Sequence, residues 1–299
     1  MPDIKHIRTS ALDVAYEESG PADGAPVFLM HGFPYDPRGY DAVVPLLAEQ
    51  GCRVIVPYLR GYGPTRFISA DAMRSGEQAA LGNDLRELMD ALGIKSAVLA
   101  GYDWGGRACC VVAALWPERV RGLVTGGGYN MHDVAGSAKP ADAEQECRYW
   151  YQYYFCTERG RAGLSANRRG IARLLWEQWS QHWRFDDATF EASARSFDNP
   201  DFVEVVIHSY RVRYGYVAGD PALASIERTL ATMPKITVPS ITLQGEDIGS
   251  TRPEASLAHA KFFTGPYERR TIPRVGHNIP QEAPRETADA VLALVRKNA

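Results

Sequence analysis

Little in this 299-residue chain points toward a membrane, a nucleic acid or disulfide chemistry. It has no run of about eighteen apolar residues, the length that a membrane-spanning helix needs. Met1-Pro2-Asp3-Ile4-Lys5 has no apolar core behind it, so no signal peptide is expected. Neither sign of charge dominates. Lys and Arg number 33 against 36 Asp and Glu, a net charge of −3, and without a basic surplus nucleic acid is not an expected partner. Cysteine is scarce: Cys52, Cys109, Cys110, Cys147 and Cys156 are odd in number and irregular in spacing. That pattern argues against a disulfide framework and predicts reduced, buried thiols in a cytoplasmic protein. Cys109-Cys110 lies in an apolar helical run and reads as packing rather than as a metal site. No metal and no cofactor are expected, and there are no repeats or low-complexity tracts.

What is present is an ordinary globular composition, 45% hydrophobic and 23% charged. The length suits one large α/β domain with room for an insertion. Residues 11–18 alternate apolar and polar, as an antiparallel strand near a sheet edge does. Pro26 to Met30, Cys52 to Pro57, Ala97 to Ala100 and Val120 to Thr125 are short apolar runs that read as strands buried on both faces. Between them, residues 40–49 and 77–92 read as helices. In the second, Leu81, Leu85, Leu88, Met89 and Leu92 recur at helical spacing. Arg60 to Thr65 is broken by two glycines and a proline, so it must be loop. Alternating strands and helices predict a mostly parallel sheet covered by helices on both faces, with the site at the carboxyl ends of the strands.

The texture changes near residue 130. From Met131 to Met233 no buried strand is legible, and the segment is helical, aromatic and locally basic. Its arginines, from Arg159 to Arg173, read as a solvated helix face. Asp198-Asn199-Pro200-Asp201 reads as a helix start, after which Val203, Val206 and Tyr210 share one face. Strand patterns return at Ile236 to Leu243 and near Tyr267 to Ile272, and a last helix runs from Pro284 to Arg296. The expected organisation is a core of residues 1–130 and 234–299 with a helical cap over 131–233.

The chemistry centres on Gly101-Tyr102-Asp103-Trp104-Gly105-Gly106. A buried strand, a glycine-bracketed polar residue and a buried helix make a nucleophile elbow. The glycines let the turn close tightly, and the central residue sits at a helix N-terminus, where an anion is favoured. That residue is Asp103, where a serine would make acyl esters. An aspartate is already ionised, and it suits displacement at a saturated carbon, giving an ester that water then cleaves. The alternative is an Asp that only caps the helix.

With His31-Gly32-Phe33-Pro34 upstream and Gly276-His277-Asn278 before the last helix, the chain resembles the α/β-hydrolase superfamily. It is most similar to the branch with aspartate nucleophiles, which includes epoxide hydrolases and haloalkane and fluoroacetate dehalogenases. The resemblance spans nearly the whole chain and implies an α/β-hydrolase fold with a helical cap. It implies Asp103 as nucleophile, His277 as the base that activates water, and the backbone N–H groups of Phe33 and Trp104 as the oxyanion hole. His31 would brace the oxyanion loop. The family's acid commonly lies three residues after a strand-end glycine, and that count from Gly245 reaches Ile248. Asp247 is the expected acid, with Glu246 the alternative, or else the triad is impaired.

The resemblance also bears on the leaving group. Epoxide oxygen leaves as an alkoxide and needs a proton donor. Tyr151-Gln152-Tyr153-Tyr154-Phe155 and Tyr210-Arg211 are similar to the two cap-tyrosine motifs of epoxide hydrolases, which implies Tyr151 and Tyr210 as donors. Tyr149, Tyr153 and Tyr154 read as cap packing. The dehalogenase alternative uses the same Asp103 and His277, but Phe33 stands where haloalkane dehalogenases usually carry Asn. Trp104 stands where fluoroacetate dehalogenases carry an arginine, although Arg107 matches them. A non-catalytic ligand-binding protein of this fold is the alternative outside enzymes. The expected partners are a small apolar substrate and water, with a homodimer left open.

Overall fold

The computed structural model describes residues 3–297. A nine-stranded sheet forms its spine. In chain order the strands are β1 (Ile4–Arg8), β2 (Leu12–Ser19), β3 (Ala25–Met30), β4 (Cys52–Pro57), β5 (Arg66–Phe67), β6 (Ala97–Tyr102), β7 (Val120–Gly126), β8 (Ser240–Gly245) and β9 (Tyr267–Ile272). Their spatial order is β1-β2-β4-β3-β6-β7-β8-β9, with β5 pairing β2. β1, β2 and β4 pair antiparallel, and every pair from β4 onward is parallel. β6 and β8 are buried at every residue, as strands covered on both faces must be, although β8 carries Ser240, Thr242 and Gln244 as well as apolar residues.

Three differences from the sequence expectation have simple causes. β1 has no apolar stripe to read: only Ile7 is half-buried in this exposed edge strand. β8 begins at Ser240 rather than Ile236, because Pro239 has no N–H for the ladder and Ile236 makes only an isolated bridge to Phe263. The helix expected over 40–49 shrinks to α1 (Val44–Ala48), preceded by a tight turn at Pro37–Tyr40.

α2 (Gln78–Ala91) packs against α3 (Asp103–Leu115), the helix that follows the elbow. Between β7 and β8 the described residues form helices without strands: α4 (Ala143–Arg148), α5 (Trp150–Cys156), α6 (Glu158–Trp179), α7 (Asp187–Ala194), α8 (Phe202–Arg213) and α9 (Ala224–Leu230). α8 starts at Phe202, so Pro200 lies before the helix rather than in its first turn, and the Asn199 side chain accepts from the Asp201 N–H at 2.8 Å. Val206 and Tyr210 are buried as expected, while Val203 is half-buried. The arginines of α6 are not simply solvated. Arg161 pairs Glu204 of α8, and Arg173 pairs Asp187 of α7 at 2.7 Å.

This helical layer is fastened over the strand ends. The Trp176 indole N–H donates to the Pro34 carbonyl at 2.8 Å, and the His277 N–H donates to the Trp179 carbonyl at 2.9 Å. α10 (Ile279–Glu282) and α11 (Pro284–Lys297) close the chain, α11 packing on β7. Cys52, Cys109 and Cys110 are buried thiols, but Cys156 is half-buried and Cys147 exposed, against expectation. Among the described residues no helix is long and apolar enough to cross a membrane.

Candidate active site

β6 ends at Tyr102 and α3 begins at the next residue, so the chain turns within a single step. Asp103 takes that step with φ at +51°, a left-handed conformation that costs a non-glycine residue energy. The turn closes only because its neighbours lack side chains. A Cβ on Gly105 would lie 2.0 Å from the Met30 carbonyl oxygen, and one on Gly101 would lie 2.6 Å from the Gly105 carbonyl carbon.

The two oxygens of Asp103 are treated differently. Oδ1 accepts from the Phe33 N–H at 2.8 Å and from the Trp104 N–H at 2.7 Å. Oδ2 lies 3.7 Å from His277 Nε2, beyond hydrogen-bond reach. Burial alone raises the Asp103 carboxyl, but His277, Arg107 and the Phe33 N–H outweigh it and hold the group at about 2. Asp103 is therefore ionised at neutral pH without a base.

His31 fixes the loop that carries the Phe33 N–H. Its Nδ1–H donates to the Gly32 carbonyl at 3.0 Å and its Nε2 accepts from the Leu59 N–H at 3.1 Å, which sets one neutral tautomer. Burial pushes the ring down to about 4, so it stays neutral and does not compete for the Asp103 charge.

His277 stands on the loop after β9. Its Nε2 is buried without a protein partner, and its Nδ1 lies 3.2 Å from the Ser250 hydroxyl oxygen. The loop is gripped by Glu282, which accepts from the Gly276 N–H at 2.8 Å, the Asn278 N–H at 3.0 Å and the Ser180 hydroxyl at 2.6 Å.

The expected contact between Asp247 and His277 is not formed. The Asp247 carboxylate is taken by Nδ1 of His182, and its backbone N–H is tied to the Val275 carbonyl at 3.0 Å. Among the described residues, no carboxylate other than Asp103 is within ion-pair distance of the His277 ring, so Glu246 does not take the place either. The backbone after Gly245 is set by the Asp247–Val275 bond, and the position that meets His277 is Ser250, five residues on from the strand end.

Tyr151 and Tyr210 come together as expected from α5 and α8. Both are buried, with ring centroids 5.5 Å apart. Both pack on the Phe33 ring, at 6.5 and 5.6 Å. Burial, and in each case the nearby Asp103 charge, push both hydroxyls above their ordinary range, so they keep their protons. The Tyr151 oxygen accepts from Gln152 Nε2 at 2.9 Å, which leaves its own proton free to be donated.

A family model described as alpha/beta hydrolase fold matches residues 25–284. The chain belongs to the α/β-hydrolase fold family. A Klebsiella pneumoniae structure, described provisionally as an epoxide hydrolase, is 47% identical over 98% of this chain and 97% of that one, with a TM-score of 0.96. Epoxide hydrolase B of Mycobacterium tuberculosis is 32% identical over 160 residues, 49% of this chain and 44% of that protein. A haloalkane dehalogenase of Mycobacterium marinum is 32% identical over 131 residues, 42% of each. The chain spans less than half the length of these two curated relatives.

In this α/β-hydrolase chain Asp103, His277 and Tyr151 border one cavity of about 270 Å³. Its wall is not the apolar one expected for an apolar substrate. Arg107, Arg213, Gln152, Asn130, His132 and Tyr149 all contribute to it. Tyr149 was expected only to pack. Ser250, Glu282 and Arg213 escaped the sequence reading. Ser250 and Glu282 carry no signal, whereas Arg213 stands three residues after Tyr210 and so on its face of α8.

Proposed function

We propose that the protein opens an epoxide to a vicinal diol through a covalent ester on Asp103. The division of the Asp103 carboxylate is the observation that supports this. Oδ2 is free to attack an epoxide carbon. As that C–O bond breaks, its electron pair goes to the departing oxygen, which takes a proton from Tyr151 or Tyr210. The ester that results has Oδ1 as its carbonyl oxygen, already facing the Phe33 and Trp104 N–H groups.

Water then adds to the carboxyl carbon while His277 Nε2 takes its proton, and the negative charge gathers on Oδ1. Collapse breaks the bond from that carbon to Oδ2, and His277 returns its proton to the leaving diol oxygen. The regenerated carboxylic acid gives up its proton, through solvent, to the tyrosinate. The balance is epoxide plus water to diol.

A dehalogenase reading has one observation in its favour. The Trp104 indole N–H is buried with no acceptor and could face a departing halide. The tyrosines separate the two readings, since a halide leaves without a proton. The Tyr151→Phe, Tyr210→Phe double variant should lose about 10² to 10⁴ in rate on styrene oxide. Any rate on 1-bromobutane should survive. Unchanged epoxide turnover in the double variant, or debromination as the sole wild-type activity, would overturn the epoxide reading.

A further inference from the structure

Arg107 and Arg213 face the same cavity from opposite layers of the protein, Arg107 from α3 beneath it and Arg213 from the end of α8 above. Arg107 is 4% exposed, yet its one hydrogen bond is a long one, from Nε to the Asn130 carbonyl at 3.3 Å. Arg213 is half-buried. Its Nη1 donates to Gln152 Oε1 at 2.7 Å, its Nη2 to His132 Nε2, and its guanidinium lies 5.4 Å from the centroid of the Tyr210 ring. Every one of these partners is neutral. Burial and both guanidinium charges hold His132 well below its usual range, so it accepts from Arg213 as a neutral ring. Among the described residues neither arginine has an ion-pair partner.

Elsewhere the chain pairs its arginines readily, as Arg60 with Asp84 at 2.6 Å and Arg74 with Asp201 at 2.9 Å show. A buried charge without a counter-charge is expensive. Two such charges on one small cavity also repel each other. Asp103 offsets them only in part, because its Oδ1 is committed to two N–H groups.

We propose that the substrate is an anion, carrying a carboxylate or similar oxyanion beside its electrophilic carbon, which Arg107 and Arg213 receive. This rests on the Asp103 ester reading and adds to it the charge of the substrate. The pair would supply the missing counter-charge and hold the acid end on the Gln152 side of the cavity. It would also offset the repulsion between the substrate and the Asp103 carboxylate. The planar guanidinium fork suits a carboxylate better than any neutral group of the same shape.

Two matched pairs of probes test it: glycidate against glycidamide, and 3,4-epoxybutanoate against its amide. In wild type the acid of at least one pair should exceed its amide in kcat/KM by about 10-fold or more, the range of one charged hydrogen bond. Arg213→Gln should reduce that preference by about 10–100-fold, and Arg213→Lys should restore part of it. Calorimetric titration with butanoate, which has no epoxide, should show binding that weakens in Arg213→Gln. If no epoxide of any kind turns over but butanoate binds through Arg213, the anion site stands and the epoxide reading falls. If the amides turn over as fast as the acids and butanoate does not bind wild type, the epoxide reading stands and the anion site is overturned.

Discussion

His277 Nδ1 lies 3.2 Å from the hydroxyl oxygen of Ser250, at the position where a carboxylate was expected. A hydroxyl can hold a histidine in one tautomer, but it brings no negative charge to stabilise the ring once it is protonated. In a serine triad, loss of the orienting carboxylate costs about 10⁴ in rate. The ester on Asp103 should therefore be cleaved more slowly than it is formed.

Ser250→Asp should accelerate cleavage of the ester by about tenfold or more, within that ceiling of about 10⁴. Asp247 borders the same cavity, but Asp247→Asn should cost far less than the about 10⁴ expected for loss of a triad acid, because its carboxylate serves His182 and not His277. Single-turnover decay of the adduct, followed by intact mass, measures both. A strong loss in Asp247→Asn with no gain in Ser250→Asp would return the acid role to Asp247.

Glu282 is the carboxylate that organises the His277 loop without touching the ring. Glu282→Gln would turn an amide donor toward the N–H groups of Gly276 or Asn278, leaving a buried group unsatisfied at a cost of about 1–3 kcal/mol. The melting temperature should fall, and the adduct should accumulate, since in the proposed mechanism ester cleavage needs His277 in place and ester formation does not. A variant that melts lower but whose two half-reactions slow equally would limit Glu282 to stability.

The elbow was legible in the sequence because its cause is local. Glycines at Gly101 and Gly105 are required by contacts of 2.6 and 2.0 Å, and no other residue fits. The strand runs at Val27, Val54 and Leu99 were legible for a similar reason: burial on both faces leaves only apolar choices. The third member of the site was not legible. Whether Asp247 meets His277 or His182 depends on a loop backbone tied to Val275 and on a cap residue 65 positions away. The polar cavity wall was missed because Arg213 looks like any helical arginine until the chain is folded around it, and Arg107 stood out only as a match to fluoroacetate dehalogenases.

A pH effect on stability follows from Glu77, which reaches across to the start of the turn before α9. Burial and the nearby Glu227 and Asp220 push its carboxyl up to about 7 from 4.5, against the Asp220 N–H bond and Arg60. The folded state thus holds the proton more tightly than the unfolded one. Its contribution to stability is full below about pH 4.5 and is lost as pH rises through about 7. Glu77→Gln cannot ionise, so its melting temperature should gain on wild type between pH 5 and pH 8. A difference that stays constant over that window would contradict the assignment.

The central claim is that Oδ2 of Asp103 attacks carbon and that water attacks the resulting ester rather than the epoxide. A single turnover with enzyme in excess over whichever of styrene oxide and 3,4-epoxybutanoate is turned over faster, in water labelled with heavy oxygen, tests this most directly. The diol of that first turnover should be unlabelled, and the peptide containing Asp103 should gain one heavy oxygen. Label in the first-turnover diol, with none on Asp103, would mean direct attack by water and would contradict the account.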